Sequence, residues 1–399
     1  MWPFRTEKRV YLDYASATPV LPAALEAYVR VSTQFGNPGS IHSDGVVAKA
    51  ELEHARESVA ETMACKPREI IFVSGGTEAN NLALIGHARR LESLHRTLRG
   101  THWIVSAIEH PSVLECFAEI ERQGAEISHI EVDRAGRVRP EALAAALKKE
   151  TVLVSIGWAN HEIGIIQDVS ALAHVIHEHE KRMHTVVIFH SDAGQAPLYR
   201  APHVHTLGVD ILTLDSGKLY GPRGIGALYV SNRTQLSPIL FGGSQERGLR
   251  AGTENPALAT GFAAALHEIG TDRSVEARRV ESLRNELLSV LKKKITDLAT
   301  NGSPERGVPH ILNVSIPQVD CEYLTIALDQ KGIAMATKSA CREGEEKRSH
   351  VIDALQAEKW RAAHTIRISL GRETTRADIV RAATVFADLV LLYRAQKMV

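Results

Sequence analysis

The chain has 399 residues, 44% hydrophobic and 24% charged, which are the proportions of a soluble globular protein and exclude disordered, collagen-like and fibrous classes. Lys plus Arg number 47 and Asp plus Glu number 47, so no bulk field is available to hold a polyanion, and direct nucleic-acid binding is not expected. No run approaches the roughly 18 to 20 apolar residues of a membrane span, and the start, Met1-Trp2-Pro3-Phe4-Arg5, lacks the apolar core of a secretion signal; a cytoplasmic protein without membrane contact is expected.

The length suits one large domain plus a smaller one. Short β-branched runs alternate with helical patterns between about residues 70 and 231, the rhythm of parallel βαβ units. The expected strands are Ile70 to Val73, Trp103 to Ala107, Ile127 to Val132, Val152 to Gly157, Thr185 to Phe189, Ile211 to Leu214 and Gly226 to Val230. They make an α/β fold with one seven-stranded, mostly parallel sheet between helices. From Val275 an amphipathic pattern (Val280, Leu283, Leu287, Leu291, Ile295, Leu298) leads into a second unit. There Leu312 to Ile316, Gly332 to Ala334 and Thr365 to Ser369 read as strands between short helices, giving a smaller α+β domain. The expected division is residues 15–260 for the large domain and residues 1–14 with 261–399 for the small one.

Ligands of an open parallel sheet bind beyond the carboxyl ends of its strands, where helix N-termini and short loops converge. Five expected strand ends carry chemically capable residues: Ser74-Gly75-Gly76-Thr77, Glu109-His110, Asn160-His161, Asp192 and Lys218. The glycines before the Ala79 helix let backbone N–H groups approach an anion that the helix dipole also favours, which reads as a phosphate cradle. No G-x-x-x-x-G-K-[ST] and no G-x-G-x-x-G after a strand supports a nucleotide instead. An anion cradle, a strand-end Asp and a following strand-end Lys are the three parts needed to hold pyridoxal phosphate: phosphate site, pyridinium partner and Schiff-base amine. The four cysteines are widely spaced with no C-x-x-C, so neither a disulfide scaffold nor a zinc ribbon is indicated. Cys65 and Cys116 read as small buried hydrophobes, while Cys321 is undecided. His174, His177, His179 and His184 follow no metal-ligand spacing and read as a solvated helix, so no metal site is expected.

The sequence resembles the class I cysteine desulfurases, fold type I pyridoxal phosphate enzymes related to class V aminotransferases. The resemblance runs from Val10-Tyr11-Leu12-Asp13-Tyr14 to Arg367-Ile368-Ser369-Leu370-Gly371-Arg372. It is carried by Phe35-Gly36-Asn37-Pro38, Gly76-Thr77-Glu78-Ala79-Asn80-Asn81, Glu109-His110, Glu162-Ile163-Gly164, Asp192-Ala193-Gly194-Gln195, Lys218-Leu219-Tyr220-Gly221-Pro222, Arg250-Ala251-Gly252-Thr253-Glu254-Asn255 and Ser339-Ala340-Cys341. It implies that Lys218 takes the cofactor's aldehyde, His110 stacks on its ring, Asp192 pairs with the ring nitrogen, and Gln195 reaches the phenolic oxygen. Gly76 and Thr77 would hold the phosphate, and Thr253 would reach the phosphate of a neighbouring subunit in a homodimer. Arg367 would clamp the carboxylate of L-cysteine, with Asn37 helping. Cys341, on a mobile loop, would attack the substrate sulfur, carry it as a persulfide and pass it to a protein acceptor such as an iron–sulfur scaffold, or toward tRNA thiolation. L-alanine would be the co-product. Another lyase or aminotransferase of the same fold would use Lys218 and Asp192 without Cys341, and a non-catalytic sulfur-assembly scaffold would keep the fold and lose the cofactor.

Four positions, in three stretches, depart from the family pattern. His161 stands where an Asn usually contacts the phenolic oxygen. Asp215-Ser216-Gly217-Lys218 replaces Ser-x-His-Lys, removing two phosphate contacts and putting a carboxylate where a hydroxyl belonged; Ser216 and the amides beside Gly217 are expected to replace the donors, and Asp215 to turn toward Arg223 or another cation. Lys338 replaces a Gly before Ser339-Ala340-Cys341.

Overall fold

The computed structural model describes residues 8–94, 97–337 and 348–397. In chain order the first part comprises β1 (Val10–Tyr11), α1 (Pro22–Ser32), α2 (Ser43–Thr62), β2 (Ile70–Val73), α3 (Gly76–Ser93), β3 (His102–Ser106), α4 (Pro111–Arg122), β4 (Glu126–Ile130), α5 (Pro140–Ala146), β5 (Thr151–Ser155), α6 (Val169–Met183), β6 (Ile188–Asp192), α7 (Val204–Leu207), β7 (Ile211–Asp215) and β8 (Gly226–Val230). The second part comprises α8 (Pro256–Lys294), β9 (Ala299–Thr300), β10 (Ile311–Ser315), α9 (Cys321–Gln330), β11 (Ile333–Ala334), β12 (Ala336–Thr337), α10 (His350–Ala354), β13 (Thr365–Ser369) and α11 (Arg376–Lys397).

The seven-stranded sheet runs in the order β2-β8-β7-β6-β5-β3-β4. β7, β6, β5, β3 and β4 pair in parallel, and β8 alone lies antiparallel to both of its neighbours. Because side chains alternate along a strand, each strand feeds two cores. Ile104, Val154, Phe189 and Leu212 face one side with Leu52 and Val59 of α2 and Leu172 of α6. Trp103, Val105, Leu153, Ile188 and Ile211 face the other with Leu82 of α3 and Phe117 of α4. Burial on both faces is what a parallel sheet requires, and each fully buried Leu, Ile or Phe contributes about 1.5–3 kcal/mol.

A third core packs Val10 and Leu12 with Val280, Leu287 and Leu291 of α8, Leu312 and Val314 of β10, Leu324 of α9, and Phe386 of α11. Over it lies an antiparallel sheet in the order β12-β13-β10-β9, beside the parallel pair β1-β11. The 39 residues of α8 reach both units: Phe262, Leu266 and Ile269 belong to the first core, and Val280 to Leu291 to the third. At about 1.5 Å per residue the helix is roughly 58 Å long.

β6 is displaced three residues from its expected position. Val186 is exposed, whereas His190 and Ser191 are buried inside the strand. The strand tolerates His190 because its imidazole bonds the hydroxyls of Ser155 (2.8 Å) and Thr213 (3.2 Å) on the flanking strands. Cys116 and Cys321 are buried, and burial pushes the Cys65 and Cys116 thiols up to about 12, which keeps both protonated. His179 sits on α6 with its Nε2 on the Lys148 carbonyl (3.0 Å). Among the described residues, no helix is long and apolar enough to cross a membrane.

Candidate active site

The carboxyl ends of β2, β3, β5, β6 and β7 open on one cavity of about 200 Å³, whose wall includes Gly76, Thr77, His110, His161, Asp192, Gln195, Lys218 and Arg367. Eight of the residues singled out from the sequence therefore meet there, seven carried by the strand ends of the large sheet and the segments that follow them, as strand-end placement requires, and Arg367 by β13 of the small one.

Asp192 ends β6 with both carboxylate oxygens engaged: Oδ1 accepts from Gly194 N (2.9 Å) and Oδ2 from Asn80 Nδ2 (2.8 Å). Asn80 lies one turn into α3 and also donates to Ser112 Oγ (2.9 Å). His110 is the N-cap of α4, and its Nδ1 accepts from Ser112 N (3.1 Å). Burial, above all, lowers the His110 pKa, and an accepting Nδ1 leaves the hydrogen of a neutral ring on Nε2. The His161 ring meets it edge-on, with centroids 5.0 Å apart. Burial and the nearby cationic groups hold His161 well below the usual imidazole range.

Glu109 underlies the same wall and its Oε1 accepts from Gly157 N (2.9 Å). Desolvation pushes its pKa up to about 7, so near neutrality a fraction of it is a neutral acid. Lys218 donates from Nζ to the carbonyl of Ser16. Gln195 lines the cavity with its amide committed on both sides, Nε2 donating to Ala15 O (2.9 Å) and Oε1 lying 3.0 Å from Nε2 of His310. Arg367, central in the small antiparallel sheet, donates from Nη1 to His161 O (2.9 Å) and from Nη2 to Asp13 Oδ1 (2.9 Å) and Ser16 Oγ. Asp13, Ser16, Asn80 and Ser112 thus hold the cavity's reactive groups in place. Only Asn80 had a signal in the sequence, lying one helical turn beyond Gly76 and so on the same face of α3.

At the other end, a recess shared by Gly75, Gly76, Thr77, Asp215, Gly217, Lys218 and Arg223 adjoins the cavity. α3 begins there, and its N-cap, Gly75, has no side chain to satisfy the first N–H groups. Two expectations for this end are corrected. Ser216 supplies no donor: its Oγ lies 2.2 Å from where a Cβ on Gly221 would stand, is absent from the walls of both cavity and recess, and has no partner among the described residues. The tight turn over Ser216–Lys218 that aims Lys218 into the cavity sends the serine backward into the protein. Asp215 does not turn to Arg223. Its Oδ1 accepts from Gly217 N (2.9 Å), its Oδ2 lies 3.2 Å from where a Cβ on Gly76 would be, and among the described residues it forms no ion pair.

Asn37 and Thr253 lie outside the cavity wall. The Asn37 Oδ1 accepts from Gly39 N (2.9 Å), and Thr253 lines a separate recess with Arg250 and Glu254. Cys341 and Lys338 lie outside the described residues.

The aminotransferase class-V family model matches residues 10–381. The chain belongs to the class-V aminotransferase family. Within it, the chain is 38% identical to a cysteine desulfurase IscS of Dictyoglomus turgidum, over 94% of this chain and 92% of that one. It is 36% identical to a putative cysteine desulfurase IscS of Bacillus subtilis, over 96% and 99%. The fold of a NifS-like protein of known structure superposes with a TM-score of 0.88 at 31% identity, covering 96% of this chain and all of that one. Class-V aminotransferases of this kind depend on pyridoxal phosphate, and the residues present fit that group. The cavity offers a primary amine, a carboxylate and two imidazoles, and His161 Nε2 is a buried polar atom without a hydrogen-bond partner among the described residues, 3.9 Å from Glu162 Oε1. Glycine at position 76 keeps the recess beside it clear of a side chain.

Proposed function

We infer that this chain is a pyridoxal-phosphate-dependent cysteine desulfurase that converts L-cysteine to L-alanine and carries the sulfur on Cys341. The observation that carries the reading is the convergence of His110, Asp192 and Lys218, from the ends of β3, β6 and β7, around one cavity, in a chain similar along nearly its whole length to cysteine desulfurases. Bound pyridoxal phosphate supplies an electron sink for the α-carbon of an amino acid.

In this reading Lys218 Nζ would hold the aldehyde and would serve as the carrier of the α-proton. Asp192, fixed by Asn80 and Gly194, keeps a proton on the ring nitrogen. His110 would cover the ring, with a transferable proton on Nε2. Gln195 and His161 would serve the phenolic oxygen, His161 through the Nε2 that has no hydrogen-bond partner among the described residues. Gly76, Thr77 and the first amides of α3 receive the phosphate. Arg367, already seated by Asp13, would take the substrate carboxylate, and Asn37, outside the cavity wall, is the proposed helper. The Cys341 thiolate attacks the sulfur of the substrate: a sulfur–sulfur bond forms, the carbon–sulfur bond breaks, and the carbon receives a proton to leave as alanine.

Two domains, with the division drawn within α8, and a homodimer complete the proposal. Phe35, Ile41, Val46 and Phe241 are exposed apolar side chains, and Thr253 lies away from its own chain's cavity, as a residue serving a second subunit would. A protein sulfur acceptor, such as an iron–sulfur scaffold, would then take the persulfide. The test is the absorption spectrum of the purified protein before and after L-cysteine, with alanine measured in the same sample. The native chain is expected to show a visible cofactor band and to form alanine, and Cys341→Ala to keep the band but form none. A colourless protein even after pyridoxal phosphate is added, or alanine formed equally by Cys341→Ala, overturns the reading.

A further inference from the structure

The recess that would receive the phosphate contains a carboxylate. Asp215 ends β7, its Oδ1 is pinned by Gly217 N at 2.9 Å, and its Oδ2 faces Gly76, the first residue of α3. It lines both the cavity and the adjoining recess, so an anion seated at the start of α3 has a second anion as its neighbour. We propose that Asp215 makes capture of the phosphate proton-linked, so that phosphate and carboxylate together take up one proton when the cofactor binds. This deepens the pyridoxal phosphate reading and rests on it.

The charges around Asp215 do not neutralise the pair. Glu78, on the first turn of α3, adds a carboxylate to the recess, but it is held by Arg250 at 3.0 Å. Arg223 lines the recess without pairing to Asp215 among the described residues, and is one cation facing a phosphate dianion and a carboxylate. Lys218 is committed to the aldehyde in this reading. His110, across the cavity, has its pKa lowered by burial and is a weak source of positive charge. Asp192, on β6 beside β7, adds a further negative charge to the same wall. A phosphate monoester loses its second proton near pH 6, so above that pH the dianion arrives without a proton, and the one that relieves the repulsion is taken up from solvent, on the phosphate or on Asp215. Linkage then requires affinity to fall as pH rises, by up to about tenfold per pH unit for one proton.

The experiment compares binding of pyridoxal phosphate and of pyridoxal, which lacks the phosphate, to cofactor-free native protein and Asp215→Asn between pH 6 and 8.5. Asn keeps an acceptor for Gly217 N while removing the charge. The native dissociation constant for pyridoxal phosphate is expected to rise relative to that of Asp215→Asn as pH increases, reaching about tenfold by pH 8. The two proteins should bind pyridoxal alike, since binding steps at Lys218 are common to both ligands. A ratio that stays constant with pH, or weaker binding by Asp215→Asn at pH 8, overturns the proposal. The native protein gives an independent reading by calorimetry in buffers of different ionisation heat at pH 7.5. About one more proton should be taken up with pyridoxal phosphate than with pyridoxal, and equal uptake overturns the proposal without any variant. If neither ligand binds, the cofactor reading itself fails.

Discussion

The two ends of the cavity are built on different terms. At the ring end, Asp192, His110 and Lys218 are each held by a bond to another polar group, and those groups come from α3, α4 and the segment after β1. At the phosphate end, one wall is glycine and backbone, and the side chain nearest it carries the same charge as the expected guest. Hydrogen bonds between separate elements fix the reacting geometry before any ligand arrives. At the far end the proposed conflict of like charges would tune how tightly the ligand is held. Of the departures from the family pattern, the Asp215-Ser216-Gly217 stretch thus lies where it bears on affinity, whereas His161 lies at the ring end.

Lys218→Ala gives the sharpest break in that contrast. Alanine production from L-cysteine is expected to drop by about a thousandfold or more, because the amine is both the anchor and the proton carrier. An assay retaining a tenth of native activity would remove the ring end as the reacting centre.

Glu109→Gln should give a smaller effect, read in stability. Burial raises the folded-state pKa of Glu109 from 4.5 to about 7, so the native protein keeps a proton that the unfolded chain releases between those values. The cost of ionising it is absent below pH 4.5, grows through that window and is complete above pH 7. The variant, which keeps an acceptor for Gly157 N, is expected to be about 3 kcal/mol more stable than native at pH 8 and nearly equal to it at pH 4.5 in denaturant titrations. A pH-independent difference would show that Glu109 does not titrate in that window.

The smallest change is expected from Ser216→Ala. Its buried hydroxyl has no partner among the described residues, so losing it should change stability by no more than about 1 kcal/mol and leave pyridoxal phosphate affinity within about twofold. A large loss of affinity would return the serine to the phosphate site.

Much of the fold was legible from alternation and turn chemistry. All seven strands of the large sheet lie at or within three residues of where their β-branched runs put them, and β13 matches to the residue. The order of the strands was not legible, because pairing of β2 with β8 joins segments more than 150 residues apart. α8 begins far ahead of the Val275 pattern. Its first half does carry a stripe, Phe262, Leu266 and Ile269, but the buried positions between them are the small Ala257, Ala259, Gly261, Ala263 and Ala265, which let helices approach closely and dilute the apolar pattern. The reactive residues stood out because charged groups at strand ends are unusual. Their supports did not, since Asp13, Ser16 and Ser112 look like ordinary loop and cap residues until folding brings Arg367, Lys218 and Asn80 against them. The direction of Ser216 depends on a turn one residue long in its effect, which composition does not encode.

The long helix α8 has a mechanical consequence. One rod contributes apolar surface to two separate cores, and at its middle Asp272 and Arg279 tie it to Arg372 and the carbonyls after β13. Melting either core strips one half of that rod of its cover, so heating should give a single cooperative collapse. For the same reason, a chain severed near residue 272 would yield two fragments that each expose a sticky seam and neither of which stands alone.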